Sequence, residues 1–321
     1  MHRTLIVTIV LALGVAAGVK ESRATAPPTL FGLDVPSPRA LHAAERAVGA
    51  RAAIVGTFAD WAHHRDFPRA LAARINARGA VPMISWEPWD SERGGAEQPA
   101  YALRRIGAGA HDALIDRWAA EIAAFRRPVL LRFAPEMNGD WLPWSTGVNG
   151  NRPGDYVAAW RHVRARFRRA GATNALWVWN PIAAYDGSTP LAELFPGRGQ
   201  VDWLAVDGYN WGATRSWGWQ SYADIFAPTV AAFHSLAPSR PVMIAETGSA
   251  PDPRKPAWVA ATLRQARAAG VRAVVWFEFE KETDWRLSES GAVAHAAHGV
   301  LKARTWRKGG DLAAVERAVR R

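Results

Sequence analysis

Between residues 29 and 301 the chain alternates short, almost unbroken apolar runs with longer Ala/Arg-rich stretches whose apolar positions recur every three or four residues. The apolar runs are TLFGLDVP (29–36), AAIVGTFADW (52–61), AVPMISWEPW (80–89), PVLLRFAPEMN (128–138), ALWVWNP (175–181), DWLAVDGYN (202–210), PVMIAETGS (241–249) and AVVWFEFE (273–280). They are apolar at successive rather than alternate positions and are bounded by Gly or Pro. That pattern predicts strands covered on both faces, as in a parallel sheet. The stretches between them predict helices over 38–50, 68–78, 108–126, 155–170, 222–237, 255–269 and 289–301, with one helical turn near 189–195. Eight strand–helix units in succession fit a closed α/β architecture, the (β/α)8 TIM barrel, better than an open sheet. No linker or low-complexity segment divides the repeat. GAGAHD (107–112) has neither the preceding strand nor the spacing of a phosphate-binding fingerprint, and reads as loop glycine.

The ends read differently. Residues 1–26 begin with a basic Met1-His2-Arg3, continue through the apolar TLIVTIVLALGVAAGV (4–19) and reach small residues at Ala24 and Ala26. This predicts a signal peptide or an N-terminal anchor, and hence a secreted or cell-envelope-associated protein with no stable membrane insertion unless that segment is retained. Residues 27–301 would form the barrel. The basic tail, 302–321, would add an amphipathic helix from Asp311, packed on the barrel floor or loose at the surface.

Composition narrows the function classes. The chain has no Cys, which removes disulfides, thiolate chemistry and cysteine-type metal sites. His63 and His64 stand beside Asp60, but no third ligand is spaced to complete a metal site, so neither metal nor cofactor is expected. The net charge of +11 invites a polyanion partner, yet no nucleic-acid-binding signature is present. Arg-rich runs such as RHVRARFRRA (161–170) read as solvated helix faces that could also favour an anionic wall or acidic polysaccharide. The 17 Trp exceed what a core of this size needs and suggest a cleft lined by flat apolar faces, which suit sugar rings. A monomer is expected.

In a barrel, reactive groups gather where strands end. Glu136 and Glu246 stand at the ends of the fourth and seventh runs. Cleaving a glycosidic bond requires such a pair: one carboxylic acid to protonate the leaving oxygen, and one carboxylate to attack the sugar or activate water. Each alone could instead be the ion-pair partner of Arg132. Arg132 would orient a carboxylate, and Tyr209, ending the sixth run, could donate its hydroxyl to one. Trp86, Trp141, Trp144, Trp211 and Trp276 lie near strand ends as candidate sugar platforms, with Asn138, Glu278 and His63 as candidate hydroxyl ligands.

On these segments the chain resembles glycoside hydrolase family 26, the β-mannanases and mixed-linkage β-glucanases. RFAPEMNGDWLPW (132–144) resembles that family's acid/base strand, VDWLAVDGYNWG (201–212) its sixth-strand motif, PVMIAETGS its nucleophile strand and WFEFEKETDWRL (276–287) its closing strand and loop. The resemblance covers about residues 29–290. It implies the (β/α)8 fold and a retaining endo-β-glycanase acting on β-mannan or β-1,3-1,4-glucan. Glu136 would be acid/base, Glu246 nucleophile, Tyr209 its support, and Trp276 the floor of the cleft. Two positions depart from the family pattern: Pro135 replaces a His before the acid/base Glu, and Glu278 stands where Asn or Asp is more usual. Pro135 leaves open the alternative of a catalytically weak carbohydrate-binding or cell-envelope protein on the same barrel.

Overall fold

The computed structural model describes residues 27–320, so the N-terminal segment 1–26 lies outside the described residues. The chain runs β1 (Thr29–Asp34), α1 (Pro38–Val48), β2 (Ile54–Asp60), α2 (Arg69–Ala77), β3 (Val81–Glu87), a short α3 (Leu103–Gly107), α4 (Asp112–Phe125), β4 (Val129–Phe133), α5 (Pro153–Arg169), β5 (Ala175–Trp179) and α6 (Leu191–Leu194). It continues through β6 (Trp203–Asn210), α7 (Tyr222–Leu236), β7 (Val242–Ser249), α8 (Lys255–Ala268), β8 (Ala273–Phe277), α9 (Gly291–Leu301), β9 (Trp306–Arg307) and α10 (Leu312–Val319). Strands β1 to β8 pair in sequence order, all parallel, and β8 also pairs with β1, which closes the eight-stranded barrel. All strands therefore end at one mouth and begin at one floor.

Helix limits follow local chemistry. Ser37 accepts from Ala40 N to start α1, and Gly49, at φ 61°, ends it in the left-handed region. Ser221 and Asp224 cap α7 reciprocally, and Ser290 caps α9. The Arg-rich α5 is less free than its sequence suggests: Arg166 pairs with both Asp112 and Asp116 of α4, and Arg161 donates to Pro196 O.

Two apolar layers form the core. Inside the barrel, Leu30, Ile54, Met83, Leu130, Val178, Ala205, Met243 and Val275 fill the lower half. Between barrel and helices lies a larger layer containing Trp61, Trp86, Trp118, Trp160, Trp177 and Trp179. Much of the tryptophan excess is thus structural rather than cleft lining. The tail closes the floor. Val315 and Val319 of α10 join the inner layer, and the Trp203 indole donates to Val319 O at 2.8 Å. β9 pairs with the first residues of β1, where β2 has not yet begun to pair.

Candidate active site

Strand parity assembles the site. Inward-facing positions are apolar low in the barrel and become polar toward the mouth: Asp34 on β1, Ser85 and Glu87 on β3, Arg132 on β4, Asp207 and Tyr209 on β6. On β7, Met243 and Ala245 belong to the inner layer, so strict alternation would turn Glu246 toward the helices. A register shift between β6 and β7 pairs Val206 with Ile244 and then Asp207 with Glu246. The extra residue turns Glu246 inward beside Asp207, as bulges near active sites do.

Arg132 is fully buried and bridges the strands. It donates to Glu246 Oε1 at 2.6 Å, to Asp207 Oδ2 at 2.5 Å and to Ser85 Oγ at 3.0 Å. The Tyr209 hydroxyl donates to the other Glu246 oxygen at 2.6 Å. Burial, and then the charge of Glu246, hold the Tyr209 hydroxyl protonated well above its ordinary range. With a donor on each oxygen, the Glu246 carboxylate is fixed in position. Beneath it lies Asp34, 1% exposed, with no hydrogen-bond partner for either carboxyl oxygen among the described residues. Its space exists because residue 56 is Gly: a Cβ there would sit 1.3 Å from Asp34 Oδ1. Burial, and then the charge of Glu246, push the Asp34 carboxyl well above the usual carboxylate range.

Glu136 comes from the loop after β4. The fourth run was expected to be strand to residue 138, but it ends at Phe133. Ala134 and Glu136 then adopt left-handed φ of 47° and 57°, with Pro135 between them. Such angles cost a non-glycine residue roughly 1–2 kcal/mol and persist where surrounding contacts impose them. Here Ala134 N donates to Trp86 O at 3.2 Å, Glu136 N to Asn180 O at 2.7 Å, and the Trp144 indole to Pro135 O at 2.6 Å. Glu136 Oε2 accepts from Trp141 Nε1 at 3.0 Å. Burial, then the charge of Glu246, push the Glu136 carboxyl up to about 7, with the Trp141 hydrogen bond and Arg132 opposing. One carboxylate oxygen each of Glu136, Asp207 and Glu246 lie within 4.8 Å of one another. Among the described residues this is the acid group with cation-binding spacing, but the Arg132 guanidinium already stands between Asp207 and Glu246.

Several expected sugar contacts are placed elsewhere. Trp86 is fully buried among Trp61, Trp118, Phe133 and Phe167 in the helix–barrel layer. Trp144 is 1% exposed and anchors the Glu136 loop. Trp276 faces α8, packs on Trp258 and donates to Trp285 O; the inward residue of β8 is its neighbour Phe277. Trp276 is therefore not the cleft floor. Asn138 spends its amide on Ile182, donating to its carbonyl at 3.0 Å and accepting from its N–H at 2.9 Å. Glu278 is buried and accepts from the Leu287 and Ser288 N–H groups. These residues shape loops and offer no free face or polar atom to substrate.

Trp141, Trp211 and His63 remain accessible at the mouth. Trp141 is 43% exposed and stacks on Tyr185, itself 45% exposed. Trp211 lies against Trp285, which packs on Tyr209 at a centroid distance of 4.8 Å. His63 hydrogen-bonds Asp60 at 2.8 Å, which raises the imidazole pKa. Glu87, Asp207, Ser85, Asp34, Trp285 and Tyr185 were not singled out from sequence. Inward parity on strands would have found the first four; Trp285 and Tyr185 sit on loops whose course no periodicity reports.

A sequence model of Glycosyl hydrolase family 26 matches residues 101–285. The chain is 36% identical over 263 residues to "Endoglucanase H" of Acetivibrio thermocellus, covering 79% of this chain and 28% of that protein. It is 34% identical over 107 residues to "Beta-1,3-xylanase TXYA" of a Vibrio species, covering 32% of this chain and 22% of that one. The chain thus spans under a third of either relative. Among solved structures, a GH26 β-mannanase from Bacteroides ovatus superposes with a TM-score of 0.69 at 17% identity, covering 88% of this chain and 91% of that one. A modular endo-β-1,4-mannanase from Cellulomonas fimi gives 0.68 at 18% identity, covering 88% and 72%. At these identities the likeness is one of fold.

Proposed function

The chain belongs to glycosyl hydrolase family 26, and on that premise we propose that it cleaves the backbone of a β-linked polysaccharide internally, with retention of anomeric configuration. Glu136 is the acid/base. A carboxyl titrating near 7 is protonated often enough to donate to the leaving oxygen and basic enough to take a proton back from water. Glu246 is the nucleophile, aimed by Arg132 and Tyr209 and attacking the anomeric carbon to give a covalent glycosyl-enzyme. Water, deprotonated by Glu136, then releases the sugar.

The observation that carries this reading is the spacing of the two glutamates. Their closest oxygens lie within 4.8 Å, in keeping with the roughly 5–5.5 Å carboxyl separation of retaining enzymes and short of the roughly 6.5–9.5 Å that an inverting water needs. The Trp141–Tyr185 stack beside Glu136 offers a platform for the departing sugar, and Trp211 lies on the Tyr209 side for the retained one. A β-glucan is favoured as substrate because the relative matched over most of this chain is called an endoglucanase. A β-mannan is the second reading, supported by the mannanases that share the fold.

The test is a panel of mixed-linkage β-glucan, β-mannan and β-1,3-xylan, with product sizing and anomeric configuration read at early times. Internal cuts with retained configuration on glucan are expected, lost in Glu246→Ala. Inverted product, or substantial turnover by Glu246→Ala, would overturn the mechanism. Binding to the panel without turnover in the intact protein would favour the non-catalytic alternative.

A further inference from the structure

Basic residues recur at the end of the barrel where the strands begin. Parallel strands all begin at the floor, so every segment entering a strand lies there, and α10 crosses the same end with Val315 and Val319 against the inner core. These segments carry Arg51 before β2, Arg126 before β4, Arg304, Arg307 and Lys308 at β9, Arg317 on α10 and Arg320 just after it; all are exposed except the half-buried Arg307 and Lys308. The acids near them are committed locally. Asp311 caps α10, Asp202 accepts from Trp177 N, Glu316 pairs with Arg127 and Glu45 with Arg78. The mouth is different: Asp60, Asp90, Glu92, Asp140, Glu280 and Glu282 stand there among its basic residues. Substrate enters at the mouth, so the basic floor has no part in the cleavage.

The chain also enters the barrel at this floor. Pro27 and Pro28 line a small groove with Arg272, Arg307 and Arg317. The sequence just before Pro27 contains the apolar stretch 4–19. Among the described residues no helix is long and apolar enough to cross a membrane. The described chain thus begins at its basic end, a few residues after an apolar stretch of sequence, and an apolar segment and a basic face are the two signals that together give stable attachment to an anionic membrane.

We propose that the barrel floor docks on an anionic phospholipid surface, with the N-terminal segment attaching at the same face and the catalytic mouth directed away from the bilayer. Each basic group near such a surface strengthens partitioning roughly fivefold, and salt weakens the effect because surface charges are screened within about a Debye length. The full chain is to be floated with vesicles of neutral phosphatidylcholine and with vesicles containing anionic phosphatidylglycerol. Binding to the anionic vesicles is expected to exceed binding to the neutral ones at least tenfold, and the excess to shrink in high salt. The variant with Arg304, Arg307, Lys308, Arg317 and Arg320 changed to Gln should lose that excess while keeping its neutral-vesicle binding, circular dichroism and polysaccharide turnover. Equal binding to both vesicle types, or an excess unchanged in the variant, would overturn the proposal. So would variant-sensitive capture by an acidic polysaccharide with no preference for anionic vesicles, which would make the partner a wall polymer.

Discussion

Replacing Trp141 by Phe isolates what sets the proton affinity of Glu136. The Trp141 indole N–H donates to Glu136 Oε2 at 3.0 Å, and this bond favours the carboxylate over the acid. Phe keeps an aromatic face toward Tyr185 but has no donor. Without the donor the carboxylate is less stable, so the Glu136 pKa rises above about 7 and the acid form survives to higher pH. A hydrogen bond to a charged acceptor contributes about 1.5–3 kcal/mol. Trp141 is 43% exposed, so water replaces part of it, and about 1 kcal/mol is the fair figure after that discount. At 1.36 kcal/mol per unit, the alkaline limb of kcat/KM should move up by about 0.7 pH units. The assay is initial rate against pH at substrate well below KM, with Tyr185→Leu as the comparison: it removes the stacking partner, keeps the donor, and should change KM without moving the limb upward. A limb that stays put or moves down in Trp141→Phe would refute the assignment of Glu136 as the acid, or of Trp141 as its donor.

Two further outcomes follow from other buried charges. Glu87 accepts from the Trp89 indole and is pushed up to about 8 by burial and by Glu246, against an ordinary 4.5. From pH 4.5 to 8 the unfolded chain has released this proton while the folded chain still holds it, so stability falls as pH rises across that window. Glu87→Gln should therefore flatten the fall in melting temperature between pH 5 and 8, and an unchanged slope would count against the shifted carboxyl. Lys255, fully buried, donates to Glu289 Oε2 at 2.6 Å and to Asp284 O at 2.8 Å, pinning the loop that presses Trp285 on Tyr209. Glu289→Gln strips the pair of one charge and should cost about 3 kcal/mol in urea unfolding, a loss below 1 kcal/mol showing that the pair is not structural.

Most of the barrel was legible in the sequence. Strands run apolar at every position because both faces are covered, and the Gly, Pro and Ser residues at their ends act locally, so β6 and α8 begin and end within about a residue of expectation. The same locality picked out Glu136, Glu246, Arg132 and Tyr209 as strand-end residues. It failed for tryptophan. Trp86, Trp144 and Trp276 have the right neighbours in sequence, but facing a cleft or facing a helix is settled by one residue of parity and by what packs opposite.

By itself, then, the sequence determined the count and order of strand–helix units and the chemical types gathered at their ends, because periodicity and capping are properties of neighbouring residues. Tertiary structure alone decided how those ends meet. The bulge at Ala245 turns Glu246 into the barrel, two left-handed residues around Pro135 carry Glu136 over it, and Gly56 leaves room for a buried Asp34. Each depends on a partner strand or loop distant in the chain, and the raised proton affinity of Glu136 arises only once burial has stripped its water and folding has set the charge of Glu246 beside it.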